Sequence, residues 1–337
     1  MVNKLYDKYL KTFLKKNKLI IFLIILTIIF TIKLPYTIDT PGGYINVTKR
    51  ISLDGAYDSE GSFNMAYVSE IDATIPTLLV AFLNPSWDIS KNEDILLENE
   101  TIDDLLFRNK LALKEANNNA IMVAYKESGH EYNVKKQDFY VVYLDKDSKS
   151  DLKVGDKIVE VDQKKITSKE EISKIISEKN IEDEIEFKVI NDNKEYKRTA
   201  TVSNINDSKA IGIVVYEILE LETDPNITIK TNNSESGSSG GLMTSLAIYN
   251  ALTSEDITNG HIIVGTGTID SDGNVGSIGG VKYKLAGAIK NKAKIFIVPN
   301  GENYKEALEL KEKNNYDIEI VGVSTFKEAV DYLKNYD

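Results

Sequence analysis

Cysteine is absent from all 337 residues. That removes a thiol nucleophile, a disulfide framework and a thiolate metal site together. Only two histidines occur, His130 and His261, so imidazole chemistry has little to work with, and no metal site is expected. Basic charge is the scarcer sign, 41 Lys and Arg against 52 Asp and Glu for a net −11. Because residues 1–18 hold six Lys and one Asp, the remainder carries −16. An acidic body lacks the clustered Lys and Arg that phosphate binding needs, which excludes nucleic acid as the main partner and favours cationic peptides. No G-x-x-x-x-G-K-[ST] loop occurs, so neither a nucleotide nor any other cofactor is expected. Hydrophobic residues at 42% and charged residues at 28% describe a folding chain long enough for two domains.

One apolar run stands out, Leu19 to Ile32, uninterrupted by charge, with Leu34, Pro35 and Tyr36 extending it beyond Lys33. Fourteen helical residues reach about 21 Å of a ~30 Å hydrocarbon core. Flanking Lys15, Lys16, Lys18 and Lys33 can snorkel, so a spanning helix over 19–38 is expected. A core helix would be amphipathic, and a cleaved leader would end in a small-x-small site, which the run lacks. Lys4, Lys8, Lys11, Lys15, Lys16 and Lys18 precede it, so the positive-inside rule makes 1–18 a cytoplasmic tip and places everything after about residue 38 outside the cell membrane.

Between 39 and 117 the pattern predicts a turn at Pro41-Gly42-Gly43, a strand at Phe63 to Val68, a helix at Ile75 to Phe82 and a polar junction at 115–119, EANNN. From 118 to 205 a β-rich unit is expected, with strands near Phe139 to Leu144, Lys157 to Val161 and Glu184 to Ile190. Ser168 followed by Glu171 starts a helix over 169–178 that buries Ile172, Ile175 and Ile176.

Residues 226–241, NITIKTNNSESGSSGG, read as a short strand and a loop of small residues, followed by a helix through Leu242, Leu246, Tyr249 and Leu252. At a helix start, free N–H groups and the dipole favour the negative charge that an attacking alkoxide and a tetrahedral oxyanion develop. Gly237-Ser238-Ser239-Gly240-Gly241 also matches G-x-S-x-G of α/β-hydrolases. That elbow needs an acid and then a histidine downstream, and the only histidine after Ser239 is His261, just 22 residues on. A serine nucleophile without histidine has a neutral lysine as its remaining base. Residues 260–284 read as a strand, an Asp272-Gly273 turn, a returning strand and a helix opened by Gly279-Gly280, with Lys284 in its first turn. There the dipole and partial burial push a lysine pKa down toward the range a base needs.

Two stretches resemble known families. Leu152-Lys153-Val154-Gly155-Asp156-Lys157-Ile158 resembles the L-x-x-G-D-x-I signature of PDZ domains, over about 85 residues. That resemblance implies peptide binding by β-addition to Phe139, Tyr140, Val141, Val142 and Tyr143, beside the 169–178 helix. Where the family carries a Gly-rich carboxylate loop, this chain has Lys135-Lys136-Gln137-Asp138. Residues 226–300 resemble the proteolytic domain of Lon proteases, whose G-P-S-A-G loop carries the serine and whose I-G-G-x-x-x-K supplies the lysine. Here these are Gly237 to Gly241 and Ile278 to Lys284. The register implies Ser239 as nucleophile, Lys284 rather than Lys282 as base, and Thr266 of Gly265-Thr266-Gly267 as the hydroxyl that orients the lysine. Ser238 and Gly240 replace the family's Pro and Ala.

The whole order resembles the membrane-anchored, PDZ-containing Lon-like proteases of Gram-positive bacteria. It implies an α+β or α/β chain: a transmembrane helix, a PDZ-like domain, and a Lon-type domain over 206–337 to which 39–117 contributes. The expected activity is ATP-independent endoproteolysis of peptides or unfolded proteins, with the backbone N–H groups of Ser238 and Ser239 holding the oxyanion. The alternative is a peptidase fold that binds peptide without cutting it.

Overall fold

The computed structural model describes residues 13, 16–205 and 207–336. Two compact units are formed, one from residues up to 40 and 69–95, the other from 41–68 and 96 onward.

In the smaller unit the apolar run is helical only from Lys18 to Thr31, fourteen residues. Ile32 is already extended and a strand begins at Tyr36. No helix among the described residues is long and apolar enough to cross a membrane. The expected spanning helix over 19–38 is therefore corrected, and the single-pass topology with its outward-facing catalytic part falls with it. The physical reason lies in the last apolar residues. Leu34 N–H bonds Ala73 O at 2.7 Å and Ala73 N–H bonds Tyr36 O at 3.0 Å, while Leu34 and Tyr36 pack on Ile38, Ala73 and Ala81. They build a small core instead of extending a helix. Most of the expected basic tip, 1–12 with 14 and 15, lies outside the described residues. The helix Ile75–Phe82 is present as read, started by reciprocal capping between Thr74 and Thr77.

The larger unit contains two sheets. In one, Ile262–Gly265 lies between Ile295–Pro299 and the strand Ser62–Asp72, parallel to both, and Glu319–Val323 extends the sheet parallel to Ile295–Pro299. Early and late sequence thus share a sheet. Its buried strand Ile295–Pro299 is apolar on both faces because helices cover it. The expected turn at Pro41-Gly42-Gly43 is instead part of the strand Tyr36–Asn46. A Cβ on Gly42 would sit 2.4 Å from Tyr67 O, and Gly42 backbone abuts Gly287, so the glycines serve close approach and not a turn.

The second sheet is β-rich and runs in the order Ile213–Asp224, Glu131–Leu144, Lys157–Val161, Glu184–Asn191, Lys194–Thr201, Lys149–Ser150. Its core is Phe139, Val141, Ile158, Ile185 and Phe187, capped by the helix Lys169–Glu178 through Ile172. Ser168 caps that helix by accepting Glu171 N–H. The strand Ile213–Asp224 pairs with Glu131–Leu144 along its length, so this sheet continues past residue 205, where the sequence had suggested an end.

A helix of 27 residues, Ile102–Ser128, connects the two sheets. The expected junction at 115–119 lies in its middle. Its asparagines are polar because they are cross-links: Asn118 bonds both N–H and C=O of Leu219, each at 3.1 Å, and Asn119 donates to Ile269 O at 3.0 Å. Polar residues that tie a helix to its neighbours look, in sequence, like a loop.

Candidate active site

The loop before residue 241 has no regular structure of its own and is fixed by neighbours. Gly237 N–H bonds Asn109 O at 2.8 Å, Lys110 Nζ bonds Asn233 O at 2.5 Å, and Arg50 pairs with Glu235. None of these anchors carries a motif, and sequence reading missed all three. The helix Gly241–Leu252 then starts at Gly240, its apolar residues buried in the main core. Gly241 N–H bonds Ser238 O at 3.1 Å, and Thr244 returns its N–H and its hydroxyl to Gly240 O, each at 3.0 Å. Ser239 is half-buried. Among the described residues, the N–H groups of Ser238 and Ser239 make no hydrogen bond within the chain.

A Cβ at residue 240 would lie 2.5 Å from Met65 Sδ, so an alanine there would require the flexible methionine side chain to shift. Beside it, Met65, Leu113, Ala116, Ile229, Gly240 and Thr244 line a small recess.

Thr266 follows the strand Ile262–Gly265 and is held by its N–H to Ile297 O at 2.9 Å. Its hydroxyl donates to Ser239 O at 3.0 Å, and Gly267 N–H bonds the same carbonyl at 2.8 Å. Lys284 lies one turn into the helix Val281–Lys290, with its N–H on Gly280 O. The side chain is 4% exposed and its Nζ donates to Thr266 Oγ1 at 3.1 Å. Burial lowers its pKa from 10.5 to about 8. A protonated amine wants three acceptors, and one hydroxyl suits the neutral form better. The three residues are thus joined by a chain of contacts in which the lysine bonds Thr266 and not the Ser239 hydroxyl. Lys282, the rival base, places Nζ over the Tyr283 ring, 4.8 Å from its centroid.

His130 bonds Ser128 Oγ through Nδ1 at 3.0 Å, and His261 stacks edge-on with Tyr336. No group of acidic or histidine side chains among the described residues could hold a metal ion.

The expected peptide-receiving strand, Phe139 to Tyr143, pairs on one edge with Ile213–Asp224. On the other edge Phe139 and Tyr140 pair with Ile158 and Lys157, and Val141 exchanges bonds with Asp156 O and Gly155 N–H, so from 139 to 141 neither edge is free for a guest strand. One terminal strand of that sheet is Ile213–Asp224, bonded to one neighbour. Asn118 covers it at Leu219, leaving Ile213 to Ile218 open. The helix Lys169–Glu178 runs alongside: Lys209 Nζ bonds Ser177 O at 2.7 Å near one end, and Lys169 and Glu170 act electrostatically on Glu217 at the other.

Lys284, Thr266 and Ser239 are thus linked at a helix start, in a chain that also carries a β-rich sheet. Comparison with known proteins identifies two domains. Residues 230–334 match the family described as Lon protease (S16) C-terminal proteolytic domain, and residues 129–203 match the PDZ domain. A 97-residue stretch is 33% identical to the Lon protease of Mesomycoplasma hyopneumoniae (strain 232), covering 29% of this chain and 11% of that protein. The match thus spans about a tenth of the length of the curated relative. Among solved structures, the PDZ domain of the SdrC-like protein of Listeria innocua is 25% identical, covering 23% of this chain and 93% of its own at a TM-score of 0.22. The second domain of the listeria protein is 24% identical, covering 25% and 88% at 0.22. The chain carries a Lon-type proteolytic domain and a PDZ domain, an arrangement that fits a peptide or protein substrate.

Proposed function

We propose that the chain is an ATP-independent serine endopeptidase with Ser239 as nucleophile and neutral Lys284 as base. The observation that carries this reading is the burial of Lys284 with its amine on Thr266, whose own hydrogen is committed to Ser239 O. Thr266 accepts from the lysine, which leaves the nitrogen lone pair free for the serine side. Lys284 Nζ takes the Ser239 hydroxyl proton as Oγ attacks the peptide carbonyl carbon. The oxyanion is received by the unengaged N–H groups of Ser238 and Ser239, where the helix dipole adds to them. The lysine ammonium then protonates the leaving amine, and water releases the acyl group from Ser239.

The test is incubation of the full chain with a peptide library and with a fluorophosphonate, products and adduct being read by mass spectrometry. Internal cleavage without added nucleotide and an adduct on the Ser239 peptide are expected. Intact peptides and no adduct would leave a peptidase fold that only binds.

Peptide recruitment in this reading uses the open edge from Ile213 to Ile218. Hydrogen exchange on the Ser239→Ala variant, with a library substrate added, should protect the amides of 213–218 and leave those of 139–143 unchanged. Protection confined to any other strand would remove this edge from the mechanism.

A further inference from the structure

We propose that Arg50 is a positioning residue: its ion pair with Glu235 latches the loop that presents Ser239, a role that rests on the peptidase reading above. Glu235 lies in the serine loop, and Arg50 comes from the far earlier segment that precedes the strand Ile51–Leu53. The side chains are 21% and 13% exposed. That is dry enough for a guanidinium–carboxylate contact to resist solvent screening, unlike an ion pair on the open surface.

Arg50 acts on the loop twice. Its carbonyl accepts Lys230 N–H at 3.0 Å, next to the pairing of Ile51 with Ile229, and its side chain takes Glu235. The exposed residues Thr231 to Ser234 between these points have no element of their own. Lys110 on Asn233 O and Asn109 on Gly237 N–H complete the hold from the long helix. Both members of the pair also border the recess with Met65 and Gly240. Losing the latch therefore frees the approach to Ser239 and one wall beside it, without touching a reacting atom. Displacement of a nucleophile by about 1 Å is enough to cost ~100-fold in rate.

The experiment compares wild type, Arg50→Ala, Glu235→Gln and the exchanged pair Arg50→Glu/Glu235→Arg. It measures peptide cleavage, thermal unfolding and hydrogen exchange of the amides 231–238. Each single variant should lower kcat about 10- to 100-fold with KM within about twofold and should speed exchange in 231–238. The exchanged pair should recover at least about tenfold of the loss. Glu235→Gln keeps the shape of its side chain and serves if Arg50→Ala does not fold. Unchanged exchange in 231–238, or a kcat loss that only follows the fraction of unfolded protein, overturns the latch. If wild type cleaves nothing and takes no fluorophosphonate, the peptidase reading fails on its own terms. Loop exchange, which needs no turnover, still decides whether Arg50 orders the segment.

Discussion

Lys284→Met should all but abolish peptide cleavage and, at neutral pH, make the folded chain more stable. The two effects have one cause. Burial that holds the amine near pKa 8 instead of 10.5 is a penalty on the charged form, and folding bears it whenever that form would otherwise be present. The folded pKa lies below the unfolded one, so the unfolded chain binds more protons between them and stability rises with pH across that window. The penalty is full below about pH 8 and gone above about 10.5. A 2.5-unit gap corresponds to about 3 kcal/mol at most, and methionine, apolar and of similar length, escapes it. Urea unfolding of both proteins from pH 7 to 10.5 should show the advantage of the variant shrinking to nothing. Loss of the base should lower kcat by ~1,000-fold or more. In wild type the neutral fraction grows from about one tenth at pH 7 to about nine tenths at pH 9, so kcat/KM should climb about tenfold over that range. A flat profile, or a methionine variant within tenfold of wild type, would remove Lys284 from the chemistry.

Ser239→Ala should lower cleavage by ~1,000-fold to a million-fold, the range found when a nucleophile is deleted from a working hydrolase site. Ser238→Ala should change it by no more than about threefold, because the proposed mechanism uses the backbone N–H of residue 238, and not its hydroxyl, at the oxyanion. The pair of variants separates two adjacent serines that composition alone cannot rank. Product formation by mass spectrometry and fluorophosphonate uptake give the answer. Wild-type rates in Ser239→Ala with none in Ser238→Ala would move the nucleophile by one residue. Equal rates in all three proteins would place cleavage elsewhere.

The local features of the site can be read from sequence because their signals are local. Glycine runs mark the loop and both helix starts, and it is the resemblance to the Lon proteolytic domain, through its spacing after Gly279-Gly280, that singles out Lys284, which is buried. The 169–178 helix follows from one cap and three isoleucines. Signals fail where position depends on distant partners. The strand Ile213–Asp224 alternates like any half-exposed strand, and nothing in its residues says it will cover the edge of Glu131–Leu144. Hydrophobicity from Leu19 to Tyr36 indicates avoidance of water, yet it does not say where the helix stops, because Leu34 and Tyr36 find their apolar contacts at Ala73 and Ala81. Arg50 and Glu235 look like any surface charges until the fold brings them together.

The helix Ile102–Ser128 grips the serine loop at Asn109 and the open sheet edge at Asn118. These points are about 14 Å apart along the axis at 1.5 Å per residue. In the proposed peptidase, a polypeptide docked on that edge and the loop that presents Ser239 would both be referenced to this one rod. A substitution that bends it between Asn109 and Asn118 is therefore expected to disturb both grips at once.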